Sequence, residues 1–179
     1  MGFLKRSITA FLALSFLAFS QKTQADLALE YQVKCAYVFN FARFVEWPAS
    51  AFPSAESPLI VGLAGNNKFT EALRNSLRGR IVENRPLVIK EVTDSDQASK
   101  VHILAFGNPD AAMITALLQK VGGRPVLTVS DADGFLDMGG MIQLKLKGDK
   151  VQFSVNLPTV DQSGLKISSQ MMQYAEIKE

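Results

Sequence analysis

The chain has 179 residues, 47% of them hydrophobic, with 19 basic and 17 acidic residues, one cysteine and one histidine. This length and composition fit one globular domain with an adequate core. A single histidine and a single cysteine exclude the usual zinc ligand sets, and a histidine-based catalytic triad would have to use His102.

Residues 1–25 have the features of a secretory signal peptide. Lys5 and Arg6 precede an apolar run over 8–19, and a small-residue pattern follows that ends at Ala25. The run is shorter than the roughly 20 residues that a membrane span needs. We therefore expect cleavage after Ala25 and an exported chain of residues 26–179. An uncleaved N-terminal anchor is the alternative.

Cleavage would also change the charge balance of the protein. Loss of Lys5, Arg6 and Lys22 takes the 19 basic residues to 16, against 17 acidic residues. The exported chain would then be close to neutral and slightly acidic, and its sequence has no basic cluster of the kind that indicates nucleic-acid binding.

The densest apolar stretch of the chain covers residues 31–47. At helical spacing its polar residues fall in a narrow sector, and large apolar side chains occupy most of the remaining circumference. Pro48 disfavours helical geometry at Trp47. We predict a largely buried helix around which the domain packs, with Arg43 and Glu46 on its polar stripe.

After this helix, short apolar runs alternate with helical patterns. The predicted strands cover 59–64, 87–89, 101–106 and 125–129, and the predicted helices cover 68–77 and 110–121. Alternation of this kind favours a mostly parallel sheet with helices on its faces. Period-two patterns over 141–146 and 151–155 predict an antiparallel hairpin, and we expect a last helix over 164–177. The predicted fold class is thus a single α/β domain: a mostly parallel sheet flanked by helices, with a C-terminal antiparallel hairpin.

The turns after the predicted parallel strands form a candidate ligand rim, because ligands of open α/β sheets bind outside the carboxyl ends of the strands. The rim residues are Gly65, Asn66, Asn67, Asn108 and Asp131. The glycine turn lacks the full dinucleotide fingerprint, which favours an ordinary strand-to-helix connection. A calcium site at the nearby aspartates is also disfavoured, because the glycine and glutamate positions of an EF-hand loop are not matched.

Three aromatic residues in predicted loops are candidate anchors for a protein partner, namely Trp47, Phe52 and Phe135. With Arg43 and Glu46 they make the set of candidate partner-binding residues. Two alternatives remain open: Trp47 can instead close the core beneath its own helix, and the two charged residues can simply be solvated. The chain has no nucleophile elbow of the hydrolase type, so no catalytic residue, cofactor or metal ligand is assigned.

Further motifs are spread over nearly all of residues 26–179. They cover 39–48 (FNFARFVEWP), Gly65 with Phe69, 85–88 (RPLV), 102–104 (HIL), 126–131 (VLTVSD), 134–135 (GF), 139–142 (GGMI), 151–156 (VQFSVN) and 164–169 (GLKISS). In order and spacing, these motifs resemble the YfiR-like family of periplasmic regulators.

The resemblance implies a non-enzymatic regulator with a compact α/β domain. Such a protein represses an inner-membrane diguanylate cyclase by binding its periplasmic sensory part, which lowers cyclic-di-GMP and biofilm formation. The resemblance also implies an outer-membrane lipoprotein that relieves the repression by sequestering the regulator, and a homodimer. The best-studied member has paired cysteines that link redox state to stability, whereas this chain has only Cys35, so redox sensing is not expected here. The alternative function is a periplasmic small-ligand-binding sensor that uses the rim.

Overall fold

A long helix, α1, opens the part of the chain that the computed structural model describes, residues 24–178, and covers residues 24–44. Its side chains Val38 and Phe41 are fully buried. The rings of Tyr37 and Phe41 each lie 5.3 Å from the ring of Phe153, measured between centroids. This is the buried helix that the sequence predicts, and aromatic packing of this kind stabilises beyond the area it buries.

Helix α1 ends three residues before the predicted boundary because another element begins there. Val45–Glu46 form a short strand, β1, that pairs antiparallel with a strand near the C-terminus, Lys166–Ile167. Backbone pairing thus replaces the last turn of the predicted helix. The prediction that Glu46 lies on the polar stripe of the helix is therefore wrong.

The remaining elements alternate largely as predicted. In chain order they are β2 (Leu59–Ala64), α2 (Lys68–Leu77), β3 (Ile81–Val82), β4 (Arg85–Val92), α3 (Ser95–Ala98), β5 (Ile103–Phe106), α4 (Ala111–Val121), β6 (Leu127–Ser130), β7 (Ile142–Lys147), β8 (Lys150–Asn156), α5 (Leu157–Gln162), β9 (Lys166–Ile167), α6 (Ser169–Met172) and β10 (Ala175–Lys178). A short 3-10 turn, Ala49–Ala51, follows β1.

Eight strands form one mixed sheet in the order β10-β8-β7-β6-β5-β2-β4-β3. Five adjacent strands of this sheet run parallel to one another, namely β7, β6, β5, β2 and β4. Strands β7 and β8 form an antiparallel hairpin. Strand β7 pairs with β6 only through Ile142 and Gln143, so the rest of the hairpin extends past the carboxyl end of β6. The predicted fold class, a mostly parallel sheet flanked by helices with a C-terminal hairpin, is confirmed.

Helices cover both faces of this sheet. Residues of α1 and α2 share one apolar core with the sheet, and residues of α3 and α4 form a second core on the opposite face. Helix α2 begins where the Asn67 side chain accepts from the Thr70 amide, and the Thr70 hydroxyl accepts from the Asn67 amide. This reciprocal capping explains why α2 starts where the sequence predicts.

The C-terminal segment differs from its prediction. In place of one helix over 164–177, the structure has β9, the one-turn helix α6 and the strand β10. Strand β10 pairs in parallel with β8, with Ala175 opposite Phe153. Pairing with a strand more than twenty residues earlier is a tertiary effect, and it overrides the local helical pattern.

The predicted signal peptide lies outside the described residues, apart from its last two. Among residues 24–178, no helix has both the length and the hydropathy needed to cross a membrane.

Candidate functional site

A groove of about 460 Å³ lies at the amino ends of β2 and β4. It contains four of the five residues predicted to bind a partner: Arg43, Glu46, Trp47 and Phe52. The other lining residues are Ala42, Phe44, Val45, Ala49, Leu59, Val82, Glu83, Arg85 and Ser168. Four side chains that the sequence indicated only as separate candidates therefore lie in one groove. They come from the end of α1, from strand β1 and from the segment after it.

Trp47 closes the core and lines the groove at the same time. Its ring packs against the apolar core on the α1 side of the sheet, and its indole Nε1 donates a hydrogen bond to the carbonyl oxygen of His102, at 3.3 Å. The two interpretations of this residue are thus compatible, because one side of the indole is buried and the other forms part of the groove wall.

His102 fixes the segment that carries the groove aromatics. Its Nδ1 accepts a hydrogen bond from the Ile60 amide at 2.9 Å, so the ring proton lies on Nε2, which donates to the Ala51 carbonyl at 3.1 Å. The imidazole also stacks on the ring of Phe52, with 4.4 Å between centroids. Burial lowers the pKa of His102 below its usual range; the hydrogen bond to Ala51 opposes this effect, and the charge of Arg85 adds to it.

Arg85 holds the other side of the same segment. Its guanidinium carbon lies 3.9 Å from the centroid of the Phe52 ring, and Nη1 donates to the carbonyl oxygens of Ser54 and Ser57 at 3.0 and 2.6 Å. Phe52 is therefore held between His102 and Arg85. The sequence did not indicate this role, because Arg85 only precedes Pro86 and the predicted strand 87–89.

The neutral state of His102 predicts a pH dependence of stability. The pKa of His102 is lower in the folded protein than the usual value near 6.5, so the unfolded chain binds more protons as the pH falls below about 6.5. The free energy of unfolding should therefore decrease from pH 7 towards pH 5.5. Urea unfolding followed by the fluorescence of Trp47 measures this decrease.

The matched control for this prediction is His102→Asn, which removes the titrating group. We expect this variant to be less stable at pH 7 but to have a flatter dependence between pH 7 and pH 5.5. Parallel pH dependences of the two proteins would show that other groups cause the decrease.

The candidate ligand rim lies at the opposite end of the sheet. Strands β2 and β5 are adjacent, and the helices that follow them cover opposite faces, so their turns meet at the topological switch point. The two turns are in close contact there, because a Cβ atom at Gly65 would lie 2.9 Å from the carbonyl oxygen of Gly107. Asn67 caps α2, and Asn108 is exposed with a φ of 57°. Asn66 is also exposed.

Asp131, the last rim residue, is part of a largely buried ion cluster. The Nζ atom of Lys34 lies 2.8 Å from Asp131 Oδ2 and 2.6 Å from Glu30 Oε1, and Lys34 is only 5% exposed. Burial alone would lower the pKa of Lys34, but its hydrogen bonds to Asp131 and Glu30 and their charges outweigh burial, so the pKa is raised. The carboxylate of Asp131 is thus engaged within the protein, where it ties α1 to the end of β6.

Phe135 does not lie on the surface. It is fully buried and packs against Phe106 in the core on the α4 face, with 5.2 Å between ring centroids. Gly140 lies directly over the ring, where a Cβ atom would clash with it. The interpretation of Phe135 as an exposed anchor is therefore corrected: the glycine turn folds the aromatic ring inward.

The aspartates considered for calcium do not form a cluster. Asp131 pairs with Lys34, whereas Asp137 pairs with Lys178. Within residues 24–178, no group of three or more histidine, cysteine, aspartate or glutamate side chains is placed to hold a metal ion.

Comparison with known proteins assigns the chain at the level of family. The model of the family described as YfiR/HmsC-like matches residues 31–176, which include the groove, Lys34 and Asp131 of the ion cluster, and all ten strands except the end of the last. Among solved structures, a conserved domain protein from Vibrio cholerae has a TM-score of 0.48 and 14% identity, covering 67% of this chain and 55% of that chain. An ABC domain from Streptococcus pneumonia, in complex with L-Trp, has a TM-score of 0.45 and 9% identity, covering 66% of this chain and 55% of its own. The chain thus spans about half the length of these two solved chains.

Proposed function

Because the chain belongs to the YfiR/HmsC-like family, we propose that it is a non-enzymatic periplasmic regulator of diguanylate cyclase signalling that represses an inner-membrane cyclase. The family match over residues 31–176 carries this proposal. In the proposed mechanism, the exported domain binds the periplasmic part of the cyclase, and the output is lower cyclic-di-GMP and less biofilm. An outer-membrane lipoprotein that sequesters the regulator is the proposed means of release.

The groove is the proposed contact surface for the cyclase. It combines aromatic walls with charged side chains at its mouth: Arg43 and Glu46 are exposed, whereas Trp47 and Phe52 are partly buried. Aromatic anchors next to charges of both signs are typical of protein-binding surfaces. The aromatic residues are also held rigidly, since His102 and Arg85 fix Phe52 from both sides. A rigid surface loses little side-chain entropy on binding.

Deletion of the gene tests the proposed function. We expect intracellular cyclic-di-GMP to rise on deletion and to return to its original level when the full chain is expressed. A form without residues 1–25 should not complement, because it stays in the cytoplasm. An unchanged cyclic-di-GMP level across several growth conditions would contradict the repressor function.

Charge reversal at the groove tests the contact surface. Arg43→Glu and Glu46→Arg should each weaken binding of the cyclase's periplasmic part by roughly tenfold, because they replace exposed charges at the proposed interface. Titration calorimetry with purified residues 26–179 measures the affinity, and an unchanged thermal unfolding midpoint shows that the variant is folded.

The matched control for Glu46→Arg is Glu71→Arg, the same charge change on an exposed residue in the first turn of α2. Helix α2 starts at the carboxyl ends of the strands, so this residue is remote from the groove. Equal losses of affinity for Glu71→Arg and Glu46→Arg would show a general charge effect and would overturn the assignment of Glu46 to the contact surface.

The volume of the groove also favours a second candidate function, that of a small-ligand sensor. Ligand pockets usually have volumes of about 300–1,000 Å³, and the groove falls within this range. A thermal-shift screen of small polar and aromatic metabolites against residues 26–179 tests it. Uniformly unchanged midpoints would count against a sensor, both at the groove and at the rim.

A further inference from the structure

A second cavity, of about 400 Å³, lies behind the segment that carries the groove aromatics. Residues of this segment divide between the two spaces: Ala49 and Phe52 line the groove, whereas Ser50, Ala51 and Pro53 line the second cavity. The amino ends of β2, β5 and β6 complete this rear cavity with Ile60, 99–102 and 124–126. Its volume falls within the range of about 300–1,000 Å³ that small-molecule sites occupy.

Two cations line the rear cavity, and no acidic residue does. Lys100 and Arg124 are exposed, and within residues 24–178 neither side chain forms an ion pair. They precede adjacent parallel strands, in which Ile103 pairs with Leu127, and the same register carried back three residues places Lys100 beside Arg124. Two like charges side by side repel each other, and an anion between them relieves the repulsion. The charge of the cavity therefore favours an anionic occupant.

The acid nearest to Lys100 in sequence does not neutralise the cavity. Asp96 forms an ion pair with Lys120 at 2.8 Å and does not line the cavity. The hydrogen bond from Lys120 is the largest cause of the lowered pKa of Asp96, and the charge of Lys100 is the smallest. The carboxylate of Asp96 is thus engaged by Lys120.

Apolar walls accompany the two charges. Ile60, Pro53 and Pro125 are among the lining residues, and the hydroxyl-bearing Ser50 lies beside them in the lining. Cations next to apolar walls suit an organic anion, that is, a carboxylate or a phosphate ester with a short hydrocarbon part.

His102 connects the rear cavity to the groove. The residue lines the cavity, its Nε2 donates to the carbonyl of Ala51, and its ring stacks on Phe52. Its own carbonyl accepts the hydrogen bond from Trp47 Nε1. An occupant of the rear cavity therefore contacts residues that position both of these groove aromatics.

We propose that the rear cavity is an effector site for a small organic anion held by Lys100 and Arg124. Bound anion fixes the segment 49–53 and thereby strengthens the binding of a partner at the groove. This effect on the groove rests on the proposed function, whereas anion binding itself requires no partner. By thermodynamic linkage, the anion and the partner raise each other's affinity by the same factor.

Isothermal titration calorimetry of residues 26–179, at constant ionic strength, tests anion binding. The carboxylate probes are succinate and citrate, the phosphate probes are inorganic phosphate and glycerol 3-phosphate, and glycerol is the neutral control. We expect at least one class to bind with a Kd below about 1 mM, and the class that binds more tightly identifies the source of the anion. A Kd weaker than about 10 mM for every probe would overturn the site.

Lys100→Gln and Arg124→Gln should each weaken probe binding about tenfold, because each removes one of the two charges. Both residues are exposed, so the urea unfolding midpoints should stay close to that of the unmodified protein. The matched controls are Lys68→Gln and Arg78→Gln, which remove the same charges from exposed positions outside the cavity. Equal losses of affinity in variants and controls would show a general charge effect and would overturn the site.

The fluorescence of Trp47, the single tryptophan of the chain, tests whether the anion acts on the groove. Its indole donates to the carbonyl of a residue that lines the rear cavity. Probe binding should therefore shift the emission, with the same Kd as calorimetry gives. Calorimetric binding with unchanged emission would overturn the effector role.

Partner binding tests the coupling between the two sites. A saturating concentration of the tighter-binding probe should raise the affinity for the cyclase's periplasmic part at least about threefold, but not when both cations are replaced by glutamine. An unchanged affinity in the unmodified protein would overturn the coupling. A cyclase that binds neither with nor without the probe would contradict the proposed function, while the calorimetric and fluorescence results, which need no partner, would still decide the anion site.

Discussion

Phe153→Ala should lower the free energy of unfolding by about 4 kcal/mol. The ring is almost completely buried and contacts both Tyr37 and Phe41, so its removal leaves a cavity between α1 and the hairpin. The helix backbone and the strand cannot both move to fill this space. Equilibrium urea unfolding measures the loss, which is a large share of the roughly 5–15 kcal/mol that stabilises a typical domain.

Leu146→Ala is the control on the same hairpin. Leu146 is half exposed, so this variant should lose no more than about 0.5 kcal/mol. Similar losses for the two variants would show that the hairpin is stabilised by its own pairing and not by its contact with α1.

Lys34→Ala should lower the free energy of unfolding by about 3 kcal/mol. The substitution leaves Asp131 and Glu30 without the cation that neutralises them in a largely buried position. Adding Asp131→Asn to this variant should recover part of the loss, because it removes one of the two unpaired charges. Urea unfolding at pH 7 measures both variants.

Lys120→Ala is the control for Lys34→Ala, because Lys120 forms an exposed ion pair with Asp96. Lys120→Ala removes the same type of side chain from a solvated ion pair, and such pairs contribute about 0–1 kcal/mol. A Lys34→Ala variant as stable as Lys120→Ala would mean that water reaches the cluster and solvates its carboxylates.

The elements with strong local signals were predicted well from the sequence. Helix α2 has the predicted bounds, because its cap and its apolar side are encoded within a few residues. Four candidate partner residues come together in one groove, because 43–52 is a continuous stretch of the chain. Whether they bind a partner stays a prediction.

Strands that form only by pairing with a distant part of the chain were not predicted from the sequence. The two-residue strands β1 and β9 exist because they pair with each other across more than a hundred residues, and β10 exists because β8 lies beside it. The orientation of Phe135 depends on Gly140, which leaves room for the ring. The sequence also showed no sign of the role of Arg85, whose acceptors are backbone carbonyls in another loop.

The contacts of α1 also determine when the protein can finish folding. The hydroxyl of Tyr37 donates to the carbonyl of Val151, 114 residues away, and Lys34 reaches Asp131 across 97 residues. A ribosome releases the N-terminal part first, so α1 emerges long before the hairpin that covers its apolar side. Until then its aromatic side chains remain exposed, and contacts this distant in sequence form slowly. The newly made chain therefore passes through an interval in which it can aggregate, and the yield of folded protein should depend on chaperones that bind exposed aromatic segments.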